Sequence, residues 1–148
     1  MFADLIAQMQ NELGARSTGY AQRFEDILAQ VASLNDPGSI AQLLPLFDDN
    51  AEHDEMMFSI IHTFERHDDL TYVKAIVDHL DSFFAKSPRW AVIVHMRILN
   101  SAPTMLAYME YIERLPAGKR QTIRNVLEAV RQKNAQFDKS CNTLLAAL

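Results

Sequence analysis

The sequence predicts an all-α fold, and three observations support this prediction. Only four glycines and five prolines occur in 148 residues, whereas the helix-favouring Leu and Ala are abundant. Apolar residues recur with the period of an amphipathic helix along the chain, and no segment shows the alternation typical of a strand. A chain of this length fits one domain. We therefore predict a single all-α domain over residues 1–148, with about eight to nine helices.

The first three helices are indicated by apolar stripes and by the residues between them. One stripe covers residues 2–13 and a second covers residues 20–34. In the turn that follows, Asp36 is expected to cap the third helix and Pro37 to occupy its first position. Pro45 should kink or end this helix early, because proline removes a backbone donor.

The middle of the chain predicts three further helices. A fourth should cover Glu52–His67. A fifth should run without a break over residues 69–87, with Asp68 as its cap. The sixth, Pro88–Asn100, should begin with Ser87 as cap and is apolar nearly all round, so we expect it to be central.

Amphipathic segments over residues 104–115 and 119–134, and a short one over residues 139–148, complete the predicted helices. A faint repeat of 33 residues aligns three helices at Ile60, Ile93 and Val126. This spacing favours antiparallel helical hairpins stacked as a short solenoid-like bundle. Chance alignment of apolar stripes in an irregular bundle explains it equally well.

The histidines and carboxylates do not have metal-binding spacing. Helical zinc and di-iron sites need ligands on one face, as in H-E-x-x-H or E-x-x-H, and neither pattern occurs. His62 and His67 are five residues apart, and the adjacent His53, Asp54 and Glu55 point in different directions on a helix. We therefore expect neither a metal nor a cofactor.

Signs of catalysis are equally weak. Cys141 lies among apolar residues with no histidine nearby in sequence, so we expect an inert buried thiol. Carboxylate pairs could be drawn from Glu52, Glu55 and Glu65, but so few loops and glycines offer little from which to build a cleft. Phosphate-binding glycine loops are absent. The sequence therefore indicates a protein that is not an enzyme.

Polar residues on the apolar helices have structural interpretations. His62 and His95 occupy matching repeat positions and are expected to be hydrogen-bonded interior or boundary histidines. Arg97 lies in an apolar segment, where an unpaired charge would be expensive, so we expect an ion pair with Glu65.

The chain carries no segment that indicates export or membrane insertion. Its N-terminus lacks the positive region and long apolar core of a signal peptide, and no run approaches the roughly 18 apolar residues of a membrane span. Its single cysteine fits a reducing compartment. We therefore expect a cytoplasmic protein.

Charge is distributed unevenly along the chain. The net charge is −5, yet residues 36–81 hold eleven acidic and two basic residues, whereas residues 82–148 hold four acidic and ten basic residues. The basic half has few aromatic residues among its cations and no recognisable nucleic-acid module, which favours a solvated helix face.

The densest negative charge lies between Phe47 and Asp69. Carboxylates near a helix start complement the helix dipole, but that role accounts for only part of this set. Such density suits a cationic partner and speeds encounter by electrostatic steering. The predicted partner-binding residues are Asp48, Asp49, Glu52, Asp54, Glu55, Glu65, Asp68 and Asp69.

The segment Leu43–Ser101 resembles an all-α family of bacterial immunity proteins. These proteins neutralise the toxin domains of contact-dependent growth inhibition and other polymorphic toxin systems. The resemblance is carried by the apolar FSIIH helix with Glu65, by Tyr72, and by the helix from Trp90 to Ser101.

The resemblance implies a small cytoplasmic protein that acts without catalysis. It would bind one cognate toxin domain, often a nuclease such as an RNase, as a monomer in a 1:1 complex, and would cover its active site or substrate surface. Nuclease surfaces are commonly cationic because their substrate is polyanionic. The eight carboxylates would occupy that surface, with no nucleic acid or membrane as partner.

Two alternatives remain open at this point. A helical-repeat adaptor would recognise a partner protein or peptide through a concave groove. A regulator that binds RNA through the basic C-terminal helix would use Lys119, Arg120, Arg124, Arg131 and Lys133.

Overall fold

A computed structural model describes residues 2–148 and confirms the all-α class, with no strand in that range. Ten α-helices and three short 3-10 segments build the described chain. The α-helices are α1 (Phe2–Ala15), α2 (Tyr20–Leu34), α3 (Ser39–Leu43), α4 (Asp54–Phe64), α5 (Asp69–Asp78), α6 (Leu80–Lys86), α7 (Pro88–Leu99), α8 (Ala102–Glu113), α9 (Gln121–Lys133) and α10 (Asp138–Ala146). The 3-10 segments are Leu44–Leu46, Ala117–Lys119 and Ala135–Phe137.

The helices group into two compact units, one ending at His67 and the other beginning at Asp68. In the first unit α1 packs along α2, and α4 packs against α2. Their contact buries most of the stripes predicted from the sequence, although Leu34 at the end of the second stripe is exposed. The fully buried apolar residues of this unit are Met9, Phe24, Val31, Ile40, Leu43, Phe47, Met57, Ile60, Ile61 and Phe64.

The second unit is built around α7, α8 and α9. Helix α5 packs on α8, α6 and α9 pack on α7, and α10 packs on α9. The apolar character of α7 on almost every side is explained by these several neighbours. The fully buried side chains include Trp90, Val94, Tyr108, Ile112, Val126, Leu127, Val130, Cys141 and Leu144. The prediction of one domain over residues 1–148 stays a prediction.

Several helix ends agree with the sequence analysis. Asp68 caps α5, because its carboxylate accepts the Thr71 backbone N–H at 2.8 Å. Pro88 is the first residue of α7. Pro45 ends α3 early, and the chain continues as a 3-10 turn.

The start of α3 differs from the prediction. The Asp36 carboxylate accepts the N–H of Gly38 at 2.8 Å, which closes a turn on its own backbone instead of capping a helix. Helix α3 consequently begins at Ser39 and not at Pro37.

The predicted unbroken fifth helix is divided at His79. This residue has φ −115° and ψ 15°, outside the helical range, and separates α5 from α6. Its ring Nδ1 lies 2.9 Å from the Ala75 carbonyl oxygen. His95 bonds the carbonyl four residues before it in the same way inside the unbroken helix α7, so this bond alone does not cause the break.

The repeat positions fall on α4, α7 and α9, as the spacing predicts. Ile60 and Val126 are fully buried, whereas Ile93 is half-buried. The solenoid-like stacking of hairpins stays a prediction. Among residues 2–148, no helix has both the length and the apolar character needed to cross a membrane.

Candidate partner-binding surface

Five of the predicted carboxylates lie in one short stretch of the first unit. Asp48, Asp49 and Glu52 belong to the loop before α4, and Asp54 and Glu55 form its first turn. Glu52 and Glu55 are exposed and the other three are half-exposed. We name this stretch, from Asp48 to Glu55, the acidic loop.

The acidic loop is anchored to the connection between α1 and α2. The Tyr20 hydroxyl donates a hydrogen bond to Glu52 at 2.9 Å, and burial together with this carboxylate raises the pKa of Tyr20. The Tyr20 ring also packs on His53, with 5.9 Å between ring centres. Arg16 lies 3.8 Å from Asp48, whose other oxygen accepts the Asn50 N–H at 2.9 Å. The loop is therefore held by specific contacts that leave much of its charge facing solvent.

Asp54 and Glu55 lie in the first turn of α4, where their charge also stabilises the helix. Negative charge at a helix N-terminus is stabilised by the helix dipole, typically by about 0.3–1 kcal/mol per residue at an exposed site. The Ser59 hydroxyl, one turn further on, donates to Glu25 of α2 at 2.8 Å and so helps to fix α4 on α2. This contact holds the helix that carries Asp54 and Glu55 against α2.

The remaining three predicted carboxylates do not join the acidic loop. Glu65 is exposed just after the last residue of α4, at the far end of that helix. Asp68 and Asp69 belong to the second unit. There Asp68 caps α5, and Asp69 accepts the Thr104 hydroxyl at 2.7 Å. Partner binding by any of the eight carboxylates stays a prediction.

The basic C-terminal half is engaged in contacts within the chain. The Arg120 guanidinium donates to the carbonyl oxygens of Glu113, Leu115 and Leu148, at 2.8–3.3 Å for its closest contact with each. Two of these acceptors lie at the end of α8, where cations satisfy free helix carbonyls. The sequence predicted a solvated face, but Arg120 is half-buried and has a structural role.

Two further arginines of α9 also make contacts within the chain, one with a carbonyl oxygen and one with carboxylates. Arg124 donates to the Leu148 carbonyl at 3.3 Å, and Arg131 pairs with Glu128 at 3.2 Å and lies 3.9 Å from Asp138. Three of the five cations of the RNA-binding alternative are therefore engaged within the chain, whereas Lys119 and Lys133 are exposed. RNA binding stays a prediction.

The described residues contain no cluster of potential metal ligands, and Cys141 is buried. Within residues 2–148, no three His, Cys, Asp or Glu side chains lie close enough together to hold a metal ion. Cys141 is fully buried, and burial raises the pKa of its thiol to about 11. Its thiolate is therefore scarce at neutral pH, in keeping with an inert packing residue.

The two repeat histidines have different environments. His95 is buried, with Nδ1 2.7 Å from the Ala91 carbonyl oxygen and Nε2 2.7 Å from the Tyr108 hydroxyl. A carbonyl only accepts, so Nδ1 carries the proton and Nε2 accepts from Tyr108. The prediction of a hydrogen-bonded interior or boundary histidine is confirmed for His95 as an interior residue, whereas His62 is exposed on α4 and is not an interior residue. The pairing of Arg97 with Glu65 stays a prediction.

Sequence reasoning also missed a polar cluster on the second unit. Lys74 and Asp78 of α5 pair at 2.7 Å, and the Tyr111 hydroxyl of α8 donates to the same carboxylate. The Lys74 ammonium lies 5.7 Å from the centre of the Tyr111 ring. The i, i+4 spacing of Lys74 and Asp78 could have indicated the ion pair, but nothing local places Tyr111 beside it.

Comparison with known proteins places the chain in a family. Neither a curated protein nor a solved structure matched it. The family model that matches is described as Immunity protein 30 and covers residues 10–108, which is more than half of the chain and includes the acidic loop. The resemblance to bacterial immunity proteins is thereby confirmed, and the chain belongs to the Immunity protein 30 family.

Proposed function

We propose that this chain is an immunity protein that neutralises one cognate bacterial toxin domain by binding it and covering its active site or substrate surface. The observation that carries this proposal is the family match over residues 10–108. Inhibition by occlusion needs a shaped and charged surface but no catalytic group. We place the activity in the cytoplasm of the producing cell, in a 1:1 complex.

The charge of the chain supports a nuclease, such as an RNase, as the toxin. A nuclease binds a polyanion through a cationic surface. The acidic loop offers five carboxylates in eight residues, with only His53 as a potentially cationic side chain among them. Such a surface can replace the phosphate backbone and would accelerate association by electrostatic steering.

The predicted docking residues do not contribute equally. Glu52 and Glu55 are the most open carboxylates of the acidic loop, and Glu65 is exposed at the other end of α4. Asp68 is the cap of α5 and Asp69 accepts from Thr104, so their replacement would disturb the fold as well as the charge. Glu52 anchors the acidic loop through Tyr20, so Asp54 and Glu55 are the residues whose change of charge is the most informative.

The proposal is tested with the toxin domain encoded by the adjacent upstream gene. Co-expression of the chain should restore growth of cells that produce this domain, and the purified proteins should form a 1:1 complex. The association rate should fall steeply between 50 mM and 500 mM salt, because the screening length shortens from more than about 10 Å to a few ångströms.

Charge-reversal variants of the acidic loop test whether this loop binds the toxin domain. Asp54→Lys with Glu55→Lys should slow association about tenfold or more at low salt. The matched control is Asp4→Lys with Asp26→Lys, which makes the same change of charge in the same unit, with Asp4 likewise in the first turn of a helix. Equal binding by both double variants, each checked for an intact helical spectrum, would remove the acidic loop from the mechanism.

A further inference from the structure

Helix α2 holds the acidic loop and the helix that follows it through two side-chain hydrogen bonds. Tyr20, the first residue of α2, donates its hydroxyl to Glu52 inside the loop at 2.9 Å. Further along α2, Glu25 accepts the Ser59 hydroxyl of α4 at 2.8 Å. The end of the acidic loop that leads into α4 is therefore tied to one helix at two points.

Tyr20 is itself held in place by the turn between α1 and α2. Gly19 precedes it with φ 80°, a left-handed conformation that favours glycine. The Arg23 guanidinium donates to the Thr18 carbonyl oxygen at 2.7 Å and to Glu12 of α1 at 2.9 Å, which closes this turn onto both helices. Only 9% of the Tyr20 surface is accessible, so packing holds its ring as well. The hydroxyl therefore meets the loop from a fixed position.

Packing alone does not fix the acidic loop, because a small cavity of about 40 Å³ lies between the loop and the neighbouring helices. Its lining includes Leu13 of α1, Tyr20 of α2, Glu52 of the loop and Met56 in the first turn of α4. Side chains beside a void lose the contacts that would otherwise resist their movement. The polar contacts of the loop with other elements therefore matter for its conformation.

Two side chains tether the loop to the connection between α1 and α2, and they are not equal. Arg16 lies 3.8 Å from Asp48, but these side chains are 48% and 46% exposed, and exposed ion pairs contribute little. The bond from Tyr20 to Glu52 is shorter and partly buried, and its acceptor is charged, which makes it the stronger tether. The contact of the Tyr20 ring with His53 adds to it.

We infer that Tyr20 is a positioning residue for toxin binding: by holding Glu52 it fixes, before the encounter, the conformation in which the acidic loop meets the toxin domain. The inference rests on the proposed function and adds that the loop binds as a preformed surface. A loop that is ordered before binding loses less conformational entropy in the complex, so its affinity is higher. Without this tether the loop would keep the same charge, but the toxin domain would have to order it.

The test compares Tyr20→Phe with the matched control Tyr111→Phe. Each variant removes one tyrosine hydroxyl that donates to a carboxylate, and neither changes the charge, but Tyr111 bonds Asp78 in the second unit. Tyr20→Phe should weaken the affinity for the purified toxin domain about tenfold, chiefly through faster dissociation, and leave the salt dependence of association unchanged. Tyr111→Phe should stay within about twofold of the wild type.

Two further readouts separate positioning from a general structural role and from direct contact. In the free protein the amides of Asn50 and Ala51 bond to Asp48 within the loop, and Tyr20→Phe should accelerate their hydrogen exchange more than that of the core amides of α2. In a Glu52→Ala background, Tyr20→Phe should cause no further loss of affinity, because its partner is already absent.

The contrary results are distinct from failure of the proposed function. If charge reversal at Asp54 and Glu55 weakens binding but Tyr20→Phe binds like the wild type, the positioning role is wrong and the proposed function stands. Equal losses in Tyr20→Phe and Tyr111→Phe would overturn the inference, since the effect would not be specific to the loop. Additive losses from Tyr20→Phe and Glu52→Ala would also overturn it, because Tyr20 would then contact the toxin domain itself. If the wild-type chain does not bind the domain at all, the proposed function fails and the inference fails with it.

Discussion

The buried pair of His95 and Tyr108 predicts a specific loss of stability in mild acid. Burial lowers the pKa of His95 from its ordinary 6.5 to about 4, although its hydrogen bond to Ala91 opposes this shift. In the unfolded chain the imidazole takes up a proton near pH 6.5, whereas in the folded chain it stays neutral until about pH 4. The unfolded state therefore binds more protons in this window, and stability falls as the pH falls through it.

The magnitude follows from the two pKa values. Linkage gives a loss of about 2 kcal/mol between pH 7 and pH 5, rising to about 3 kcal/mol once the pH is below both values. This is a large part of the typical stability of a domain, about 5–15 kcal/mol. The loss belongs to His95 alone and should disappear when the imidazole is replaced.

The assay is urea unfolding followed by circular dichroism at pH 7, 6 and 5. The wild type is compared with His95→Gln, whose side chain keeps a donor and an acceptor. Every other titrating group is common to both proteins, so the difference between their pH slopes isolates His95. As a second measurement, NMR titration of the His95 ring in the folded protein needs no variant. Identical pH slopes, or a ring that titrates near 6.5 in the folded protein, would refute the reasoning.

Two further predictions concern contacts that the sequence only partly reveals. Asp68→Ala should destabilise the protein by about 1 kcal/mol in urea unfolding because α5 loses its cap, whereas Asp68→Asn should keep the cap and remove the charge; equal stability of the two variants would contradict a capping role. Arg120→Met should lower the free energy of unfolding by about 1–2 kcal/mol through loss of its three carbonyl contacts. The control Lys133→Met, an exposed cation in the last turn of α9, should change it by less than about 0.5 kcal/mol, and equal effects of the two variants would show that only charge matters.

The helices could be predicted because their signals are local. Apolar stripes, the Asp68 cap and the prolines at positions 45 and 88 act within a few residues of where they stand. The break at His79 could not be predicted in the same way. His62 and His95 lie inside α4 and α7 without interrupting them, and His95 bonds its own backbone just as His79 does. A histidine in a helical segment can therefore interrupt the helix or leave it intact.

The candidate surface was only partly accessible to sequence reasoning, because charge is visible in a sequence but its partners are not. The carboxylates of the acidic loop could be located from their density. That Asp69 accepts from Thr104, 35 residues away, depends on how α5 packs on α8. The same applies to Arg120, which bonds a carbonyl 28 residues away, and to Tyr20, which bonds Glu52 32 residues away. Contacts between distant parts of the chain decide which charged residues support the fold and which are available to a partner.

The most direct test of the central claim is a titration of toxin activity against this chain. The toxin domain from the adjacent gene is held at a concentration well above the expected dissociation constant, and purified chain is added in steps. Occlusion predicts that activity falls linearly and reaches zero at one chain per toxin domain. Inactivation by much less than one equivalent would indicate catalysis, and full activity at several equivalents would contradict the immunity function.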